Sequence, residues 1–147
     1  LIFPEMNTLP APIYHPMIDN QGKPTLPWIL FFNQLFTGDT GQSWTPSFTS
    51  LTSTGTPTFA GKFYKISSEL VYFTAVVTPA TNTTATAGVT YINNPPVSIN
   101  RDGACLAAAA NLGGLSGMCV ASSNRIYVPG WSAVTVPVTV SGLMEAS

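Results

Sequence analysis

Residues 55–79, GTPTFAGKFYKISSELVYFTAVVTP, indicate the fold class, because they describe two strands joined by a tight turn near Ser67 and Ser68. Aromatic and β-branched residues of this kind favour strands over helices. The alternating side chains of the second strand form two sets, Leu70, Tyr72, Thr74 and Val76 on one face and Val71, Phe73, Ala75 and Val77 on the other. Because both sets are largely apolar, we expect this strand to be covered on both faces.

Period-two patterning continues through the chain after residue 43. Candidate strands lie at residues 44–51, 86–93, 104–110, 117–121, 125–128 and 131–140, and turn-forming residues separate them at 93–96, 101–103 and 111–114. Short strands at this spacing predict a mainly β chain with an antiparallel β-sandwich or jelly-roll-like C-terminal head over residues 43–147. Pro137 in the last candidate predicts a strand at a sheet edge, because proline cannot donate to the ladder.

Residues 1–24 predict an extended N-terminal arm. Prolines stand at positions 4, 10, 12, 16 and 24, and proline disfavours helix at the residue before it. Apolar side chains, among them Phe3, Ile13 and Tyr14, are scattered along the arm. Because an extended strip cannot bury such residues by itself, we expect the arm to be an anchor that lies along a partner protein. The alternative is a tail that packs on its own domain.

Residues 25–42 predict one short helix and a linker. Thr25 suits an N-cap, Pro27 falls in the first turn and Gly38 suits the helix end. One face of this helix carries the apolar residues Trp28, Phe31, Phe32, Leu35 and Phe36. A helix this short is marginal alone in water, so this face must dock. It docks either on the β-domain of the same chain or on other copies or a shared partner.

The charge content of the chain restricts its partners. Only 7% of the residues are charged and the net charge is −1, whereas about 25% charged residues is typical. A surface with so little charge is expected to be buried against copies of the chain or in a larger assembly. No basic cluster supports nucleic-acid binding. No apolar run approaches the roughly 20 residues of a membrane span, so no membrane partner is expected.

Catalytic and metal-binding residue sets are not recognisable in the sequence. His15 is the only histidine, and it lies in the arm. The carboxylates in or beside the β-region are Asp39, Glu69, Asp102 and Glu145, which we expect at turns or near strand ends. A glycosidase needs two carboxylates across a cleft, and a zinc site needs a set of His, Cys or carboxylate ligands. We therefore predict no enzyme activity, no catalytic residues, no metal and no cofactor.

The two cysteines flank a predicted hairpin. Cys105 and Cys119 stand on either side of the turn expected at residues 111–114. The cysteines either form a cross-strand disulfide or pack as two small buried thiols. Assembly in a bacterial cytoplasm favours the thiols.

Several sequence blocks resemble a known family. Residues 16–36, PMIDNQGKPTLPWILFFNQLF, contain a P-M-I-D turn, a Gly-x-Pro-Thr step, and a Trp followed by a double aromatic. They are followed by W-T-P-x-F at residues 44–48, G-x-F-Y-K-I at 61–66 and L-V-x-F at 70–73. In this order the blocks resemble virion-attached fibre proteins of bacteriophages, of the tail-fibre or head-fibre kind, over almost the whole chain from about Pro16 onward.

The resemblance implies a structural protein of the virion that is assembled in the host bacterial cytoplasm. It implies a homotrimeric short fibre, in the tail or associated with it, whose N-terminus binds other virion proteins and whose head is available for host adsorption. The alternatives are a capsid decoration or head-fibre protein without a receptor, and a carbohydrate-binding adhesin module. Candidate contacts to a host surface glycan are Tyr91, Tyr127 and Trp131, which stand beside Asn, Arg or other polar residues. Each of these aromatics also suits core or inter-subunit packing.

Overall fold

The computed structural model describes residues 14–37, 41–120 and 123–147, without the side chains at 32–37, 112, 113 and 119. The chain forms two compact units, Leu1–Thr40 and Gly41–Ser147. The boundary between them lies close to residue 43, where the head is predicted to begin.

The described part of the first unit contains a reverse turn. Ile18 pairs with Pro24 in an isolated antiparallel bridge. Between them, Oδ1 of Asp19 accepts hydrogen bonds from the backbone N–H of Gln21 at 2.8 Å and of Lys23 at 2.9 Å. Gly22 has a φ of 76°, which glycine adopts without steric cost. The arm therefore reverses direction here, at the P-M-I-D block, and is not extended throughout.

A single helix, α1 (Leu26–Thr37), follows this turn. The carbonyl of Thr25 accepts the first helical hydrogen bonds, from the N–H groups of Trp28 and Ile29. Thr25 therefore occupies the expected N-cap position. Its hydroxyl, however, donates a 2.6 Å hydrogen bond to the carbonyl of Pro16, which joins the start of the helix to the residues before the turn.

The second unit is mainly β, as the sequence predicts, and its strands form two antiparallel sheets of a sandwich. The strands are β1 (Gln42–Trp44), β2 (Phe48–Thr49), β3 (Thr52–Thr54), β4 (Thr58–Lys65), β5 (Leu70–Thr78), β6 (Asn82–Ala85), β7 (Tyr91–Ile92), β8 (Ile99–Ala109), β9 (Leu112–Val120), β10 (Arg125–Tyr127), β11 (Trp131–Val134) and β12 (Val138–Ala146). The larger sheet has nine strands in the order β1-β4-β5-β12-β8-β9-β10-β7-β2, and the smaller has the order β11-β6-β3.

The predicted hairpin of residues 55–79 is β4 and β5, which pair from Thr58↔Thr78 to Lys65↔Val71. The turn lies where it was expected, and Oγ of Ser67 accepts a 3.0 Å hydrogen bond from the N–H of Leu70. Within the described residues of the second unit, β5 is covered on one face only, so the expectation that both faces are covered is not met there. Its odd-numbered residues from Val71 to Val77 are buried, but Leu70 and Tyr72 are exposed.

Pro137 does not lie in an edge strand. The predicted strand 131–140 divides into β11 and β12, and Pro137 stands in the break between them. Because the proline is outside the ladder, β12 is free to occupy the centre of the larger sheet, between β5 and β8. The predicted turn at residues 101–103 is also wrong, because these residues belong to β8, which is eleven residues long.

The core of the second unit lies between the two sheets. The larger sheet contributes Phe73 and Val77 from β5 and Val140 from β12, all of them fully buried. The smaller sheet contributes Trp131 and Val134 from β11. The apolar side chains on one face of each strand thus form a single core, as expected for a sandwich.

Candidate functional site

The tyrosines that the sequence marks as candidate glycan contacts lie side by side. Tyr91 of β7 and Tyr127 of β10 are register partners, and their ring centroids are 5.3 Å apart. The guanidinium carbon of Arg125 lies 4.3 Å from the centroid of the Tyr91 ring, a cation–π distance. Nη1 of Arg125 donates a 3.4 Å hydrogen bond to the hydroxyl of Tyr127, and this bond raises the pKa of Arg125 above its ordinary value.

An open groove of about 490 Å³ borders this cluster. Tyr127, Met118 and Pro129 line it, together with the turn that contains Gly88. Pro129 packs closely on Gly117, since a Cβ at Gly117 would lie 2.8 Å from Cδ of the proline. The groove is mostly apolar and has the Tyr127 ring in its lining, a combination that suits a sugar or an apolar side chain.

Trp131 is not part of this surface. Its side chain is 5% exposed, and its indole Nε1 donates a hydrogen bond to Oγ1 of Thr83 inside the sandwich. The expectation that Trp131 contacts a receptor is therefore wrong, because the ring is needed to fill the space between the sheets.

A second groove, of about 530 Å³, lies beside Trp44, a residue that the sequence did not mark as a site. The indole of Trp44 lies over Gly61, where a Cβ would be only 2.5 Å from Cε3 of the ring. Nε1 of Trp44 donates a 2.8 Å hydrogen bond to the carbonyl of Asn94. The W-T-P-x-F block was the signal that could have pointed to this groove.

Only some of the predicted anchor residues lie in the described part of the chain. Phe3 and Ile13 lie outside the described residues, as do the side chains of Phe32, Leu35 and Phe36. Tyr14 is 92% exposed. The rings of Trp28 and Phe31 meet edge to face, with centroids 5.6 Å apart, and Nε1 of Trp28 donates a 2.9 Å hydrogen bond to the carbonyl of His15.

None of the described carboxylates of the head lines either of the two grooves. Glu69 lies in the β4–β5 turn, and Asp102 lies within β8 rather than at a turn. Oε1 of Glu145 accepts a 3.0 Å hydrogen bond from Asn100 and lies 3.4 Å from Nε of Arg101. Asp39 falls in a segment that is not described. Within the described residues, no three His, Cys, Asp or Glu side chains are grouped so that they could hold a metal ion.

The two cysteines lie on paired strands but are not opposite each other. Cys105 pairs with Gly117, and Cys119 pairs with Gly103. The thiol of Cys105 is buried and donates a 3.5 Å hydrogen bond to the carbonyl of Tyr127. Cys105 therefore packs as a small buried residue beneath the tyrosine pair.

In the part of the chain that the structure describes, no helix has the length and apolar character needed to cross a membrane. No protein-family model, no curated protein and no solved structure matches the chain.

Proposed function

We propose that this chain is a non-enzymatic structural component of a bacteriophage virion. It forms a homotrimeric short fibre that is anchored by its N-terminal arm and presents a β-sandwich head. The resemblance of residues 16–36, 44–48, 61–66 and 70–73 to virion-attached fibre proteins supports this assignment. So does a charge content of 7%, which suits a surface that is covered within an assembly.

The observation that carries the proposal is the apolar surface of the first unit. Tyr14, Ile18, Leu26 and Leu30 are all exposed, although each has a large apolar side chain. The turn at Asp19 and the hydrogen bond from Thr25 to Pro16 hold the arm next to the start of α1. An ordered segment with exposed apolar side chains suits docking on another virion protein.

Particle incorporation tests this proposal. Replacing Tyr14, Ile18 and Leu26 together by serine should prevent the chain from co-purifying with phage particles, because the apolar contacts of the anchor are lost. Replacing Ile66 and Val89 by serine is the matched control, since both are exposed apolar residues of the head. The readout is quantitative mass spectrometry of purified particles. Absence of the unaltered chain from particles, or normal incorporation of the arm variant, would contradict the proposal.

The proposal also excludes catalysis by the head. The purified protein should release no reducing sugar from host polysaccharide, even at high concentration, because none of the residues that line the two grooves is a carboxylate and a glycosidase needs two of them across a cleft. Polysaccharide cleavage that is lost on Glu69→Gln or Asp102→Asn would contradict a purely structural role.

Recognition of a host glycan is a second candidate function, and the tyrosine pair favours it. The ring of Tyr127 lines the groove and offers an apolar surface for a sugar, and Arg125, which lies over the neighbouring Tyr91 ring, offers donors for hydroxyl or carboxylate groups. Tyr127→Ala should then weaken binding of the protein to host cells. Tyr64→Ala is the control, because Tyr64 also stacks near a second tyrosine, Tyr72, with ring centroids 6.0 Å apart. If both variants bind host cells equally well, the head does not recognise a glycan through Tyr127, and its role is to decorate the particle or to act as a spacer.

A further inference from the structure

Arg125 is held in place by the two tyrosines beside it. Its guanidinium carbon lies 4.3 Å from the centroid of the Tyr91 ring, so one flat face of the group is covered. Its Nη1 donates a 3.4 Å hydrogen bond to the hydroxyl of Tyr127. The two rings lie 5.3 Å apart because their strands are in register at this point. The guanidinium is thus positioned before a ligand arrives, which lowers the entropic cost of binding one.

The positive charge of Arg125 is not neutralised by a carboxylate. Among the described residues, the ion pair joins Arg101 to Glu145, and no carboxylate lies within ion-pair distance of Arg125. Asp102 of β8 stands on the far side of β9 from Arg125, so the two backbones are about two strand spacings, roughly 10 Å, apart. A guanidinium has five N–H donors, and the described hydrogen bond uses one of them. The other donors are therefore available to an anion.

Tyr127 connects this cation to the groove. Its ring lines the groove of about 490 Å³, and its hydroxyl contacts Arg125. Val120, the register partner of Arg125 on β9, lines the same groove. Small-molecule sites have volumes of roughly 300–1,000 Å³, so the groove is large enough for a sugar residue. A ligand that lies against the Tyr127 ring therefore has the guanidinium of Arg125 beside it.

The chemistry of these residues suits a sugar that carries a carboxylate. The Tyr127 ring offers an apolar surface to the C–H face of a sugar, and Ser116 adds a hydroxyl to the lining. None of the residues that line the groove is charged, so the anionic group of the ligand is bound at Arg125. A planar guanidinium binds a carboxylate through two parallel hydrogen bonds. A uronic acid has one carboxylate on each sugar ring, which matches this single guanidinium.

We propose that the groove and Arg125 together bind an acidic sugar, whose ring lies against Tyr127 and whose carboxylate is bound by Arg125. This inference rests on the second candidate function, recognition of a host glycan, and narrows that function to glycans that contain uronic acids. A neutral glycan binds more weakly, because it leaves the guanidinium without a charged acceptor.

Binding of uronate polymers to the full chain tests the site. The probes are polygalacturonate and the same polymer with its carboxyl groups methyl-esterified, so that the two differ in the acidic group alone. In isothermal titration calorimetry, polygalacturonate should bind about tenfold or more tightly than the ester, because hydrogen bonds to a charged group are the stronger ones. Alginate is a second uronate polymer with other sugars. Binding of neither uronate polymer, or equal binding of polygalacturonate and its ester, would overturn the proposal.

Substitution of Arg125 tests the role of its guanidinium. Arg125→Gln should weaken polygalacturonate binding about tenfold or more, and Arg125→Lys should restore only part of it, because an ammonium lacks the planar fork. Lys62→Gln is the matched control, since it removes the same charge from an exposed position outside this groove. Equal losses in Arg125→Gln and Lys62→Gln would mean that the polymer is attracted by general charge, which contradicts the proposal. Circular dichroism and thermal unfolding verify that each variant is folded.

Filling the groove gives a second test that leaves the charge unchanged. Ser116 is exposed on β9 and lines the groove. Ser116→Trp should abolish polygalacturonate binding, because the indole occupies the space of the sugar, and an aromatic residue is well tolerated in a strand. Ser132→Trp is the matched control, since it adds the same bulk to an exposed position on β11, in the smaller sheet. Unchanged binding by the Ser116 variant would show that the sugar does not lie in the groove and would overturn the proposal.

The failure of this inference is distinguishable from the failure of glycan recognition itself. If Tyr127→Ala weakens binding to host cells and Arg125→Gln does not, the head recognises a neutral glycan, and only the acidic sugar is ruled out. If neither variant changes binding to host cells, glycan recognition by this surface is ruled out as well. A short peptide with a free C-terminal carboxylate is the last probe. Tighter binding of this peptide than of the uronate polymers would make the site a peptide site and would overturn the proposal.

Discussion

The indole Nε1 of Trp131 donates a 3.2 Å hydrogen bond to Oγ1 of Thr83, and the two side chains are buried together between the sheets. Trp131 lies on β11 and Thr83 on the neighbouring β6, so the bond joins the two strands through their side chains. The aromatic ring fills the core while its one polar atom is satisfied inside it. This pair explains why Trp131 is a core residue and not a surface aromatic.

Thr83→Val should destabilise the β-domain by about 1–3 kcal/mol, because it leaves the buried indole N–H without an acceptor. Urea denaturation followed by tryptophan fluorescence measures this change. Trp131→Phe in the Thr83→Val background should cost less than the sum of the two single changes, since the unsatisfied group is then absent. Additive costs would show that the hydrogen bond does not couple the two residues.

Asn94→Ala should destabilise the start of the head by about 1 kcal/mol or more, because one side chain makes two backbone hydrogen bonds. Its Oδ1 accepts from the N–H of Ser47 at 2.6 Å, and its Nδ2 donates to the carbonyl of Thr45 at 2.9 Å. Asn93→Ala is the matched control, since the described side-chain bond of Asn93 is a longer one, donated by its Nδ2 to Oγ1 of Thr49 at 3.3 Å. Thermal unfolding should give a larger loss for Asn94→Ala, and equal losses would contradict the assignment.

Gly142→Ala should destabilise the protein by about 1–3 kcal/mol through overpacking. A Cβ at this position of β12 would lie 2.6 Å from the carbonyl oxygen of Ala104 on β8. Because this oxygen belongs to the backbone of a paired strand, the clash can be relieved only by distorting the sheet. Gly114→Ala on β9 is the control, because a Cβ there would meet nothing within 4 Å. Chemical denaturation of both variants checks the prediction, which fails if Gly142→Ala is as stable as Gly114→Ala.

Asp19→Ala should open the turn of the arm without affecting the head. The amide hydrogens of Gln21 and Lys23 lose the carboxylate oxygen that accepts their bonds, so both should exchange faster with deuterium. Asn20→Ala provides the comparison, because that change leaves the Asp19 carboxylate in place. Unchanged exchange at both amides in Asp19→Ala would mean that the side chain does not hold the turn.

Local patterns predicted the parts of the fold that depend on neighbours in the chain. The β4–β5 hairpin is correct because alternation and the Ser67–Ser68 turn are both local, and α1 begins after Thr25 as its capping pattern indicated. The strands that were misplaced depend on distant partners. Residues 101–103 look like a turn, yet pairing with β12 extends β8 through them.

The candidate site was predicted only in part. Tyr91 and Tyr127 are distant in sequence, and the polar residues near each of them marked both as candidates. Their pairing depends on the register of β7 and β10, which no local pattern contains. Trp131 was misassigned because an aromatic residue next to polar residues gives the same sequence pattern whether its ring faces the core or the solvent.

The sequence by itself determined the β class of the head, the single short helix and the low charge of the surface, because composition and residue period act locally. The tertiary structure alone decided that Tyr72, Leu143, Met118 and Tyr127 stand in one row. These residues come from four strands, and although β9 and β10 follow each other in the chain, only the order and register of the sheet bring all four together. Side-chain alternation indicates that two faces are apolar, but which face the chain covers depends on where the second sheet packs.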